Sequence, residues 1–131
     1  DSAHADEDIG FVDLEQERFQ NTGQLTLLGK KKLMIGASLA TKPKVLMLDE
    51  PMAGCNATEI RSLMNLIAKI NKDLGVTIII IEHFMKVLTE LAESLLIIES
   101  GTKIMQDEPV KVVNDPKVIE CYLGDPNAES E

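Results

Sequence analysis

Two acids stand side by side at Asp49 and Glu50, directly after the apolar run Val45-Leu46-Met47-Leu48 and before Pro51. The run reads as a strand buried on both faces, because such strands lose the polar/apolar alternation of half-exposed ones. Carboxylates at its carboxyl end lie where open α/β sheets hold their ligands. One acid there can hold Mg²⁺, directly or through water, and its neighbour can polarise an attacking water. A second run, Val76 to Ile81, repeats the pattern and leads through Glu82 to His83, whose imidazole can reach the same phosphate. The pattern suits phosphate chemistry. No G-x-x-x-x-G-K-[ST] loop occurs in the 131 residues, and Gly29-Lys30-Lys31-Lys32 lacks both the leading glycine and the Ser/Thr that binds Mg²⁺. A chain with the acidic edge and no phosphate cradle is expected to bind ATP poorly by itself.

Each of these residues also has a plainer role. Asp49 and Glu50 can cap the turn that follows a strand, and His83 can be a structural strand-end histidine. Lys30 to Lys32 reads as a solvated helix start, with phosphate binding as the minority reading. The six methionines fit as core or loop fillers. Cys55 reads as a small, half-buried residue, with a reactive thiol as the alternative.

The elements that must position these residues follow from periodicity and punctuation. Residues 1–24 hold no sustained period, although Ile9, Phe11, Val12, Leu14 and Phe19 suit one short helix. Apolar positions over 30–41, stopped by Pro43, predict a helix. A strand over 44–49 and a turn over 51–56 come after it. Residues 57–74 place Ile60, Leu63, Met64, Leu66, Ile67 and Ile70 at helical period, with Gly75 as a stop. A strand over 76–81 and a helix over 84–91 come next. Glu99-Ser100-Gly101 between residues 95–98 and 102–105 signals a hairpin, and short helices at 110–114 and 117–122 flank Pro116. Strands alternating with helices give an α/β fold with a parallel sheet and an added hairpin.

Composition narrows the class. A hydrophobic fraction of 44% supplies one domain's core, built from aliphatic residues because aromatics are 3%. The net charge of −9 argues against a nucleic-acid partner. The acids concentrate in residues 1–17 and in the tail 125–131. Cys55 and Cys121 match no metal spacing and read as free intracellular thiols, with a disulfide as the unsupported alternative. No apolar run reaches the roughly 18 residues that span a bilayer, and no secretory leader is visible. The chain begins at Asp1 rather than Met, as a fragment or processed product would.

With these motifs in order, the chain resembles the carboxyl-terminal half of an ABC-transporter ATPase subunit, and most of all the type that drives import of branched-chain amino acids. Val45-Leu46-Met47-Leu48-Asp49-Glu50-Pro51 is similar to the family's Walker B motif, Ala53-Gly54-Cys55-Asn56 falls at its D-loop, and His83 falls on its switch histidine. Glu82 to Val87, Val113 to Glu120 and Tyr122-Leu123-Gly124 resemble later segments of the branched-chain importers. The similarity runs over residues 25–124, leaving an acidic segment 1–24 and an acidic tail 125–131. The family signature, Leu-Ser-x-Gly-Gln, is replaced here by Leu25-Thr26-Leu27-Leu28-Gly29.

The resemblance implies a partial P-loop NTPase (RecA-like) sheet without its phosphate-loop strand. It implies ATP and Mg²⁺ as cofactors, with Glu50 as catalytic base, His83 at the γ-phosphate and Asp49 on the Mg²⁺ shell through water. Thr26, Gly29 and Asn56 are the remaining nucleotide-facing positions. Partners implied are a second ATPase subunit or another copy of the chain, together with membrane permease subunits. The location implied is cytoplasmic, at the inner face of the membrane. The competing expectation is a non-hydrolysing module that binds a complete subunit. An unpaired strand edge, where the phosphate-loop strand would lie, favours an oligomer over a monomer.

Overall fold

The computed structural model describes residues 2–123 and divides into two compact units, 1–82 and 83–131. The acidic tail expected at 125–131 lies outside the described residues.

The first unit opens with helix α1 (Ser2–Phe11), a segment for which the sequence offers no period. Long-range contacts hold this region in place. Val12 and Leu14 are buried after the helix, Arg18 pairs with Asp6, and the Lys69 ammonium lies 4.2 Å over the Phe11 ring. Helix α2 (Leu27–Leu39) starts three residues earlier than apolar periodicity suggests, because Thr26 caps it. Strand β1 (Val45–Asp49) comes next, then helix α3 (Ala57–Leu74) and strand β2 (Thr77–Ile81).

Local sequence accounts for the start, the buried face and the end of α3. Asn56 and Glu59 form a reciprocal capping box, satisfying two amides that the first turn leaves without helical partners. Leu63, Met64, Leu66, Ile67 and Ile70 bury one face, each worth about 1.5–3 kcal/mol when fully removed from water. Gly75, at φ 65°, ends the helix in the left-handed conformation that glycine adopts without steric cost.

β1 and β2 run parallel, paired from Val45–Thr77 through Asp49–Ile81. The expectation of strands buried on both faces is corrected here. Leu46 is buried and Leu48, Ile78 and Ile80 are partly so, whereas Val45, Met47, Ile79 and Ile81 remain exposed, Met47 at 67%. Among the described residues, one face of this two-stranded sheet has a covering layer and the other has none. An unbroken apolar run specifies strands that suit two buried faces, but the second layer must come from elsewhere.

The second unit holds helix α4 (Met85–Leu91), the antiparallel hairpin β3 (Leu95–Glu99) and β4 (Thr102–Asp107), and helices α5 (Pro109–Val113) and α6 (Pro116–Leu123). The hairpin loop is Ser100-Gly101, with φ of 46° and 77°. Two consecutive positive φ values match the right-handed twist of the flanking strands. Leu95, Ile97, Val112 and Val118 form this unit's core together with Val87 and Leu88. No helix among the described residues is long and apolar enough to cross a membrane.

Candidate functional site

Asp49 is the last paired residue of β1, and Glu50 is the first residue beyond the strand, both with exposed side chains. Glu50 has φ 44°, a left-handed conformation that costs a non-glycine residue on the order of 1–3 kcal/mol. Surrounding bonds hold it there. The Glu50 N–H donates to the Ile81 carbonyl at 2.9 Å, carrying the ladder one step past the strand, and the Ala53 N–H donates to the Glu50 carbonyl at 3.1 Å. Pro51 is buried, and the Met52 side chain is 0% exposed. The Met52 N–H donates to a carboxylate oxygen of Glu82 at 2.8 Å. Glu82, only 8% exposed, thereby ties the end of β2 to the turn after Glu50.

That turn also carries the start of α2. Gly54 sits at φ 76°, and a Cβ added there would lie 3.1 Å from Leu27 Cδ2. Leu27 therefore packs on the bare glycine and brings the first turn of α2 beside residues 51–56. Gly54→Val is expected to combine a disfavoured φ with this clash. The predicted loss is about 2–4 kcal/mol of unfolding free energy, read from a urea melt with unchanged m-value.

The polar groups expected to face nucleotide have structural duties. The Thr26 hydroxyl accepts from the Gly29 N–H at 3.1 Å, so it serves as the α2 cap while its own proton can still be donated. Gly29 is buried, and a Cβ there would meet Leu25 Cβ and Thr26 Oγ1 at 3.4 Å. Asn56 accepts from the Glu59 N–H at 3.0 Å. The reading of Lys30 to Lys32 as a solvated run is corrected at its third member. Lys32 is buried and its ammonium pairs with Asp13 at 3.0 Å. Successive helix residues point about 100° apart, so three adjacent lysines cannot all face water once one side packs. Cys55 is a half-buried free thiol, and desolvation raises its pKa above the ordinary thiol value despite the nearby Lys31. That favours the protonated, unreactive form.

The first unit carries Asp49, Glu50, Asn56, Thr26 and Gly29, and the Leu27–Gly54 contact joins the α2 start to the turn that ends at Asn56. His83 opens the second unit, where its exposed ring lies against that of Phe84 with centroids 4.4 Å apart. Glu82 and the Lys32–Asp13 pair escape sequence reasoning. Neither leaves a local signal, since an acid directly after five strand residues is equally suited to solvent.

The donor set fits Mg²⁺ in kind. Among the described residues no group of three or more His, Cys, Asp and Glu side chains can hold a metal ion. Mg²⁺ commonly takes only one or two protein carboxylates and fills its shell with water and phosphate oxygens, and Asp49 offers one such hard oxygen ligand. The phosphates themselves have no G-x-x-x-x-G-K-[ST] cradle in this sequence.

A parallel α/β sheet with an acidic strand end defines the class, and comparison with solved structures supports it: the fold is that of an ABC ATPase cassette, a P-loop NTPase. An ATP-binding cassette of an ABC transporter, MJ1267, in its ADP conformation matches at TM-score 0.85 and 28% identity over 94% of this chain and 50% of its own. CbiO1 of Clostridium perfringens, part of the ABC transporter complex CbiONQ, matches at TM-score 0.82 and 29% identity over 92% of this chain and 48% of its own.

The chain is a homologue of ABC-transporter ATP-binding proteins. The high-affinity branched-chain amino acid transport ATP-binding protein BraF of Pseudomonas aeruginosa is 34% identical over 114 residues, 87% of this chain and 45% of the relative. LivG of Escherichia coli, of the same description, is 34% identical over 119 residues, 91% of this chain and 46% of the relative. The methionine import ATP-binding protein MetN of Corynebacterium jeikeium is 32% identical over 109 residues, 83% of this chain and 30% of the relative. The chain therefore spans about half or less of each of these relatives. No family model matches it.

Proposed function

We propose that this chain supplies the Walker B, D-loop and switch-histidine half of an ATP-hydrolysing subunit that drives amino-acid uptake, most specifically of branched-chain amino acids. The observation that carries the reading is the end of β1. Asp49 and Glu50 are exposed there, and Glu50 is held in a strained conformation that a mere turn cap does not require. Strain of this kind clusters at functional sites. The branched-chain transport proteins among its relatives support the substrate class.

In this reading Glu50 accepts the proton of the attacking water, a task for an exposed carboxylate in hydrogen-bond reach of solvent. Asp49 orients the water shell of Mg²⁺, which when bound supplies positive charge to the phosphate oxygens. His83 donates to an oxygen of the transferred phosphoryl group. Thr26, Gly29 and Asn56 present the α2 start and the 51–56 turn to nucleotide held by a second subunit. Phosphoryl transfer of this type depends on positioning and charge stabilisation more than on covalent chemistry. The partners are a second ATPase subunit, or a second copy, and membrane permease subunits at the inner face of the membrane.

A second reading rests on a specific observation, the lack of a phosphate loop in these 131 residues. A chain of this sort acting alone is a non-hydrolysing partner of a complete subunit. One experiment checks the missing cradle that both readings share, and a second separates them. Calorimetric titration of Mg-ATP into the chain is expected to give no saturable heat at millimolar nucleotide. Sequencing the transcript on the 5′ side of the Asp1 codon is expected to show an in-frame G-x-x-x-x-G-K-[ST]. A stop codon followed by a start codon in that region would sink the hydrolytic reading in favour of the partner.

A further inference from the structure

We infer that Glu82 is a positioning residue for Glu50, fixing the backbone conformation from which the Glu50 carboxylate projects. The inference rests on the reading of Glu50 as the base, and its evidence lies in the backbone at the ends of β1 and β2.

Three features make Glu50 hard to hold. Its φ of 44° is left-handed. The residue after it is Pro51, and a residue that precedes proline is pushed toward extended conformations. Pro51 also has no N–H, so the first backbone donor after Glu50 is that of Met52. Such a conformation persists only where its surroundings over-determine it.

The end of β2 supplies that restraint on both sides. Ile81, the partner of Asp49 in the sheet, accepts the Glu50 N–H at 2.9 Å. Glu82, the next residue, accepts the Met52 N–H at 2.8 Å. Two successive residues of β2 and its end thus grip the chain immediately before and immediately after the Glu50–Pro51 unit. The grip is strong for physical reasons. Glu82 is 8% exposed and Met52 is 0% exposed, so water competes little for the bond. A hydrogen bond to a carboxylate is also stronger than one to a neutral acceptor. A neutral apolar residue at 82 would leave the Met52 N–H buried without this acceptor.

The consequence for the site is directional. A general base works only when held near its productive geometry, within roughly half an ångström and 10–20°. A Glu50 released into an extended or right-handed conformation sends its carboxylate elsewhere while Asp49, inside the ladder, stays in place.

The test is NMR of the 131-residue chain and its E82A, E82D and E82Q variants, in the absence of nucleotide. Positive φ brings an amide proton close to its own Hα, giving Glu50 a strong intraresidue NOE. E82A removes the acceptor and E82D withdraws it by one methylene. Both are expected to lose that NOE and to speed exchange of the Met52 amide by at least about tenfold, with Leu63 and Ile70 in α3 keeping their protection. E82Q keeps an oxygen at the same reach and is expected to retain both signals. Persistence of the Glu50 NOE in E82A or E82D, even with a freely exchanging Met52 amide, overturns the proposal and leaves Glu82 as a buried prop. Loss of the NOE in E82Q overturns it as well. Where E82A does not fold, E82D decides by the same two signals. No nucleotide enters the measurement, so failure of the ATPase reading shows up separately, in the upstream sequence.

Discussion

With Glu50 as the proposed base, Glu50→Gln is expected to lower ATP turnover by about 10²–10⁴-fold in a polypeptide that joins this chain to a phosphate loop, the range associated with losing a general base. Glutamine keeps the length and a carbonyl acceptor but cannot take the proton from water. It also tolerates the left-handed φ no worse than glutamate, so the Glu50 N–H bond to Ile81 at 2.9 Å and the turn behind it are preserved. Nucleotide affinity is expected to hold or to tighten, because one negative charge is removed from the acidic strand end. Single-turnover hydrolysis beside equilibrium binding checks both halves of this expectation. A variant within about threefold of wild type in turnover would remove Glu50 from the role of base. A variant that lost affinity and turnover together would mean that Glu50 holds nucleotide and performs no proton transfer.

Met52→Ala is expected to cost about 2–5 kcal/mol of stability, the range for emptying a fully buried side-chain site. Met52 is 0% exposed and sits two residues after Glu50, so its side chain anchors the turn whose N–H Glu82 accepts. At this chain length the loss corresponds to a fall in Tm on the order of 10 °C. Met52→Leu conserves volume and apolarity and is expected to lose less than about 1.5 kcal/mol. Denaturant melts of both variants give the comparison directly. An alanine variant as stable as the leucine variant would mean that the turn repacks without its anchor, and the rigid platform argued for Glu50 would not stand.

The two predictions draw on different kinds of information. The acids at 49 and 50, and their place at a strand's carboxyl end, follow from local pattern: four apolar residues, two carboxylates and a proline in sequence order. α3 is equally local. Its capping box lies between Asn56 and Glu59, its apolar face repeats at helical period, and Gly75 supplies a left-handed stop. The β3–β4 hairpin reads from Ser100-Gly101 for the same reason, since the turn chemistry and the positive φ values sit on adjacent residues. Short-range geometry fixed these elements, and short-range geometry is what a sequence displays.

Other features depended on partners far along the chain. Glu82 meets the amide of Met52 across 30 residues, and Lys32 meets Asp13 across 19. Nothing in the neighbourhood of either charged residue marks it as buried, because a charge is tolerated in the interior only when a specific partner reaches it. Leu27 against Gly54 joins the α2 start to the 51–56 turn by van der Waals contact alone, which leaves no pattern in either segment. The sheet shows the limit most plainly. Sequence by itself determined that β1 and β2 are apolar enough for two covering layers and that two acids end β1. Tertiary structure alone decided which face is covered, that Val45, Met47, Ile79 and Ile81 stay exposed, and that Glu50 is gripped from β2. The physical reason is that burial and hydrogen bonding of this kind belong to pairs of distant residues, whereas periodicity belongs to one segment at a time.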